Sequence, residues 1–94
     1  MLINSIHYTF ASADADRAES LFRELRDASR QEAGVIQFEV GRSREKRHVF
    51  ALWEVYRDQG AVEAHVASEH FKRLVVNGVR PLAQGRNMEQ VVPI

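Results

Sequence analysis

The stretch His48–Tyr56, HVFALWEVY, constrains the fold more than any other part of this sequence. It alternates as a strand does, and its β-branched and aromatic residues suit a pleated surface. Phe50, Leu52 and Tyr56 share one face, while Val49, Ala51, Trp53 and Val55 share the other. Both faces are apolar, so both need cover. Such a strand belongs inside a sheet, with helices against one face and a further layer against the other.

The remaining periodicities supply helices for one face only. Residues 2–10 (LINSIHYTF) alternate as a strand, with Leu2, Asn4, Ile6, Tyr8 and Phe10 on one side. Ala18, Leu21, Phe22, Leu25 and Ala28 follow at helical spacing, predicting a helix over about 14–32. Ser12 or Asp14 is positioned to cap it. Gly34 is expected to end it through the left-handed conformation that glycine tolerates. Val35–Arg42 alternates again, with Ile36, Phe38 and Val40 on one face. Asp58 suits the cap of a second helix through Val66, which Ser68 breaks or restarts, and Phe71, Leu74 and Val75 stripe another short helix. Gly78 and Pro81 are expected to stop that helix, and residues 86–94 form a last strand. The order strand, helix, strand, strand, broken helix, strand predicts an α+β class. Its architecture is a ferredoxin-like split βαβ with a four-stranded antiparallel sheet and helices on one face.

A chain of 94 residues has material for one core, so residues 1–94 read as a single domain. The second layer over the sheet must then come from elsewhere. Leaving a Trp and two Val in water would forfeit several kcal/mol at roughly 25 cal/mol per Å2. Two copies packed sheet to sheet under twofold symmetry would bury them, which predicts a homodimer.

Charge excludes several partner classes. Thirteen basic residues balance thirteen acidic ones, and each half of the chain balances separately. No global field exists to hold nucleic acid or an anionic membrane. The basic cluster Arg42, Arg44, Lys46 and Arg47 falls where a hairpin tip is expected, and reads as a solvated turn. Cysteine is absent, which removes disulfides, thiol catalysis and cysteine-ligated metals. No apolar run approaches membrane-spanning length and no signal-peptide pattern opens the chain, so a cytoplasmic location is the expectation.

Three polar residues interrupt apolar surfaces: Asn4 beside Ile6 and Tyr8, Glu54 between Leu52 and Tyr56, and His65 after Ala61 and Val62. A buried polar group without a partner costs on the order of 1–3 kcal/mol, so three of them point to a pocket or an internal network. His65 is the candidate for proton transfer, since histidine ordinarily titrates near neutrality, although tying a helix to the sheet would use it equally well. Glu54 suits pairing with an arginine or capping a loop better than it suits a site, and Asn4 suits either a pocket amide or a strand-start hydrogen bond. Trp53 and Tyr56 could stack on a ligand or pack in a core or interface. His65 and His70 invite a metal, but five residues on a continuous helix turn the side chain by about 140°, so they are expected to diverge. Neither a metal nor a cofactor is expected; no phosphate loop, nucleophile elbow or dinucleotide fingerprint occurs.

Glu32-Ala33-Gly34-Val35-Ile36-Gln37-Phe38-Glu39-Val40 fits the pattern E-x-G-x-x-x-[FY]-x-V. Trp53-Glu54-Val55-Tyr56-Arg57-Asp58, Ala61-Val62-Glu63-Ala64-His65 and Ser68-Glu69-His70-Phe71 follow it. Together these resemble the antibiotic biosynthesis monooxygenase domain family, the dimeric α+β barrels, over nearly the whole chain. The resemblance implies a homodimer with a small-molecule pocket between helices and sheet. Some members of that family oxidise polycyclic phenols to quinones with O2 and no cofactor. Another branch processes the phosphorylated form of autoinducer-2, and Pro81-Leu82 and Gly85-Arg86 are similar to it. A third degrades haem; Asn4 matches its pattern, but His65 and Val75 stand where a Trp and the haem ligand would be. The function this implies is a cofactor-independent monooxygenase acting on a phenolic or quinol-type molecule. His65 would be base or polariser, Asn4 would orient an oxygen, and Trp53, Tyr56, Phe71 and Glu54 would contact substrate. The alternatives are an isomerase of a small phosphorylated compound, with Arg86 or the hairpin arginines on the phosphate, and a binding module without turnover.

Overall fold

A computed structural model of the chain describes residues 1–94. The strands are β1 (Leu2–Phe10), β2 (Val35–Arg42), β3 (Val49–Tyr56) and β4 (Ala83–Val91). The helices are α1 (Ala15–Ser29), α2 (Gln59–Ala67) and α3, a helical segment over residues 69–82. The strands form one antiparallel sheet in the order β2-β3-β1-β4. This is the ferredoxin-like α+β fold, with β1 and β3 in the middle.

Pleat alternation decides what each strand presents to the helices. Ile6, Tyr8 and Phe10 of β1 and Phe50 and Leu52 of β3 join Ala18, Phe22 and Leu25 of α1 in one core. The aromatic rings at its centre interlock, with Phe22 standing 5.4 Å from Tyr8, 6.0 Å from Phe10 and 5.3 Å from Phe50, ring centre to ring centre. Tilted and edge-on packing of this kind adds to what burial alone contributes.

Several local expectations are revised. Helix α1 ends at Ser29 rather than 32, and no side chain caps its first turn, which follows a single 3-10 turn at Ser12–Asp14. No glycine has positive φ. Gly34 is needed for close approach instead: a Cβ there would run into the Cβ of Ala61 on α2. A bulge between Val35 and Gln37 turns Ile36 out to solvent and leaves Val35 with Phe38 and Val40 against the core. Gly78 and Pro81 do not stop α3, which runs through both in a π-helical stretch, Lys72–Val79, before a last turn at Arg80–Leu82. The last strand starts at Ala83, three residues earlier than expected, and ends before Pro93. Arg42 is not a solvated hairpin residue. It folds back to donate to Asp16 and Glu19 of α1 and lies over the Phe50 ring.

The face of the sheet away from the helices carries Ile3, Ala51, Trp53, Val55 and Val91. Val55 is buried among its neighbours there, whereas Trp53 remains 42% exposed. No helix is long and apolar enough to cross a membrane.

Candidate functional site

A cavity of about 200 Å3 lies between the sheet and helices α2 and α3. Its floor is the helix-facing side of β1, β3 and β4, including Asn4, Ile6, Tyr8, Leu52, Glu54 and Tyr56. Val62, His65 and Val66 of α2, with Phe71 and Val75 of α3, close it from above. Arg86, Met88 and Gln90 line its β4 side, and Arg80 from the last turn of α3 lines it as well. The walls are mainly apolar with a few converging polar groups, the usual make-up of a small-molecule site.

The polar floor is a connected network. Asn4 and Glu54 sit directly opposite each other in the β1–β3 ladder. The Tyr56 hydroxyl donates to Glu54 Oε1 at 2.7 Å, and the Gln90 amide donates to Asn4 Oδ1 at 2.9 Å. Asn4, Glu54 and Tyr56 are all buried. Burial pushes the Glu54 carboxyl above its ordinary range, and the Tyr56 hydroxyl, nearby His65 and the Asn4 amide only partly offset this. Tyr56 is raised as well, by burial and then by the charge of Glu54, so its hydroxyl keeps its proton and acts as a donor. Arg86 donates from Nε to the Tyr8 hydroxyl at 3.2 Å.

His65, 3% exposed, is held by a carboxylate from another part of the chain. Its Nδ1 lies 2.8 Å from Oε2 of Glu32, in the connection between α1 and β2. A carboxylate only accepts, so the proton of a neutral His65 ring resides on Nδ1 and Nε2 keeps its lone pair. His70 Nε2 approaches the same Glu32 oxygen at 2.7 Å. The two histidines converge because α2 and α3 are not one continuous helix. Ser68 takes an extended conformation between them, with its hydroxyl donating to the His65 carbonyl and accepting from the Phe71 N–H. The expected divergence of His65 and His70 is thereby overturned. Phe71 and Tyr56 flank the His65 ring at 5.2 and 5.5 Å.

The antibiotic biosynthesis monooxygenase family model matches residues 1–76, four-fifths of the chain, including every element that supplies Asn4, Glu32, Glu54 and His65. The chain belongs to the antibiotic biosynthesis monooxygenase family. Solved structures agree with this. PA3566 from Pseudomonas aeruginosa is 32% identical, with a TM-score of 0.91 over 99% of this chain and 93% of that one. A protein described as an antibiotic biosynthesis monooxygenase is 24% identical, with a TM-score of 0.92 over 100% of this chain and 99% of that one. A Nitrosomonas europaea protein, 17% identical, shares the fold with a TM-score of 0.94 over 100% and 99% of the two chains. No functionally curated protein matches the chain.

Within this family fold, Asn4, Glu54 and His65, the three residues that interrupt apolar faces, line one cavity together with Tyr56 and Phe71. Trp53 does not. It alternates with Leu52 and Glu54 and so points to the other side of the sheet, away from the cavity of its own chain. Of the arginines considered for an anion, Arg86 lines the cavity, whereas Arg42 is committed to α1. Two participants, Glu32 and Arg80, are not singled out by the sequence, and a third, His70, is set aside there as diverging from His65. Glu32 could have been suspected from the E-x-G pattern, since a fixed acidic residue beside a closely packed glycine has a geometric reason to be there.

Proposed function

We propose that this protein is a cofactor-independent monooxygenase that oxidises a phenolic or quinol-type small molecule with O2, and that His65 is its base. The observation that carries this reading is the Glu32–His65 pair. A carboxylate fixes the proton on Nδ1 of a buried histidine that lines an apolar, aromatic-walled cavity. An imidazole so held can take a phenolic proton at Nε2 while Glu32 steadies the imidazolium that forms. The phenolate is electron-rich enough to reduce O2 directly. Forming a C–O bond with one oxygen atom and releasing the other as water balances a phenol and O2 against a quinone and H2O. Asn4 offers its amide to orient an oxygen, Glu54 and Tyr56 make the polar floor, and Phe71 covers the ring. The dry cavity favours the anion's transfer of charge to O2 over side reactions.

Oxygen uptake with a panel of phenols and hydroquinones, in the presence of a metal chelator, tests the reading. Turnover by the wild type should fall by about 100-fold or more in His65→Ala, with the fold unchanged by circular dichroism. Retained turnover in that variant would reject His65 as the base. Absence of oxygen uptake with every phenol would reject the monooxygenase.

A second reading rests on Arg80 and Arg86, which both line the cavity and are suited to a phosphate. In it the protein isomerises a small phosphorylated compound, with His65 moving the proton. Protection of the protein against heating by phosphorylated sugars, lost in Arg86→Ala, would favour this isomerase. Tight binding of a phenol without turnover would favour a binding module. In every version we propose a homodimer joined through the open face of the sheet.

A further inference from the structure

Glu32, His65 and His70 bring three ligand-type atoms within 4.8 Å of one another, from the α1–β2 connection, the end of α2 and the start of α3. We propose that they form a binding site for a transition-metal dication such as Zn2+, and that its occupation switches His65 off as a base. The second half of this rests on the reading of His65 given above; the first does not.

The donor set is two imidazoles and one carboxylate, borderline ligands that suit Zn2+, Co2+ or Ni2+ better than Mg2+ or Ca2+. Without an ion, the Glu32 oxygen lies 2.8 Å from one imidazole nitrogen and 2.7 Å from the other. Those are proton-sharing distances. A tetrahedral zinc with ligands at about 2.0–2.1 Å needs its donors about 3.3 Å apart, so each imidazole has to withdraw from the carboxylate by about 0.6 Å. Glu32 stands outside any helix or strand, so its side-chain torsions can supply that movement, and rotation of the part-exposed His70 side chain brings its nitrogen, within 4.8 Å of that of His65, to the same separation. His65 is buried, but Glu32 and His70 keep 17% and 19% of their side-chain surface exposed, so an ion can enter from solvent and keep a water as its fourth ligand.

The consequence for His65 follows from imidazole chemistry. Bonded to Glu32, a neutral ring carries its proton on Nδ1 and has a lone pair at Nε2. Bound to a metal through Nδ1, a neutral ring carries its proton on Nε2, which then donates and cannot accept. The ion replaces the protons shared with Glu32, and His65 changes tautomer without leaving its position. Neither Glu32 nor His70 lines the cavity, so the ion sits behind the catalytic face and not in the substrate's place. It is an inhibitory site and not a cofactor site.

Titration of the metal-free protein with Zn2+ by calorimetry, and with Co2+ by visible absorption, tests the site. One ion per chain is expected in the wild type, with affinity at least tenfold weaker in His70→Ala and in Glu32→Gln. A wild type that binds no ion, or binds it equally well in both variants, would overturn the site. Nitrogen-15 NMR of the histidine rings tests the switch independently of any turnover. The His65 pattern should pass from protonated Nδ1 to protonated Nε2 as Zn2+ is added. Binding with the tautomer unchanged would overturn the switch and keep the site. Failure of the monooxygenase reading would appear only in oxygen uptake and would leave both measurements standing.

Discussion

Glu54 is the residue whose energetics conflict most with its position. It is 4% exposed, opposite Asn4, with one oxygen accepting from Tyr56. Burial raises its folded-state pKa above the value it has in the unfolded chain. The folded state therefore binds this proton more tightly than the unfolded state does, and stability associated with it is present at low pH and lost as pH rises through the raised value. Glu54→Gln keeps an acceptor for the Tyr56 hydroxyl and removes the charge. Thermal unfolding between pH 4 and 8 should show the variant gaining stability over the wild type as pH rises, and an unchanged difference between the two would contradict the burial argument. Tyr56→Phe works in the opposite sense. It strips the buried carboxyl of its donor, which should cost about 1–3 kcal/mol by denaturant unfolding.

At the scale of elements, the site depends on two short connections. Gly34 sits between α1 and β2 against Ala61 of α2, and its carbonyl accepts from the Arg57 N–H at 2.9 Å. A methyl group at residue 34 has no room, so Gly34→Ala must push α2 from the connection that carries Glu32. The expected loss is about 1–3 kcal/mol, seen as a melting temperature lower by at least 4 °C. Ser68 is the second. Its hydroxyl caps the start of α3 and bonds the end of α2, and its extended backbone gives the turn that aims His65 and His70 at one oxygen. Much at this scale was legible in the chain. Asp58 was readable as a cap because its position precedes a helical stripe, and its Oδ1 does accept from the Ala61 N–H at 2.9 Å. Asn4, Glu54 and His65 stood out because each breaks an apolar face. The position of Ile36 was not legible. A bulge depends on which partner residues its strand meets, and alternation within one strand carries no information about that.

For the whole molecule, the open face of the sheet is the surface on which the proposed homodimer rests. Trp53 lies there among Ala51, Val55, Ile3 and Val91, and it is 42% exposed in a single chain. A second copy against this face would remove that surface from water, at roughly 25 cal/mol per Å2. Light scattering at micromolar concentration should give twice the mass of the 10.8 kDa chain. Trp53→Glu should give the single mass, with the helix-side core intact. A wild-type monomer would remove the dimer. Local pattern by itself determined the order of the elements, the two apolar faces of β3 and the three polar residues that turned out to share a cavity. These follow from periodicity, because a period of two or of 3.6 assigns each side chain to a face before any partner is known. Only the tertiary structure decided that Glu32 meets His65, 33 residues away, that His70 joins them, and that Arg80 and Arg86 line the same cavity. Such meetings depend on where a helix breaks and how closely two connections pack, and those are fixed by the whole set of contacts at once.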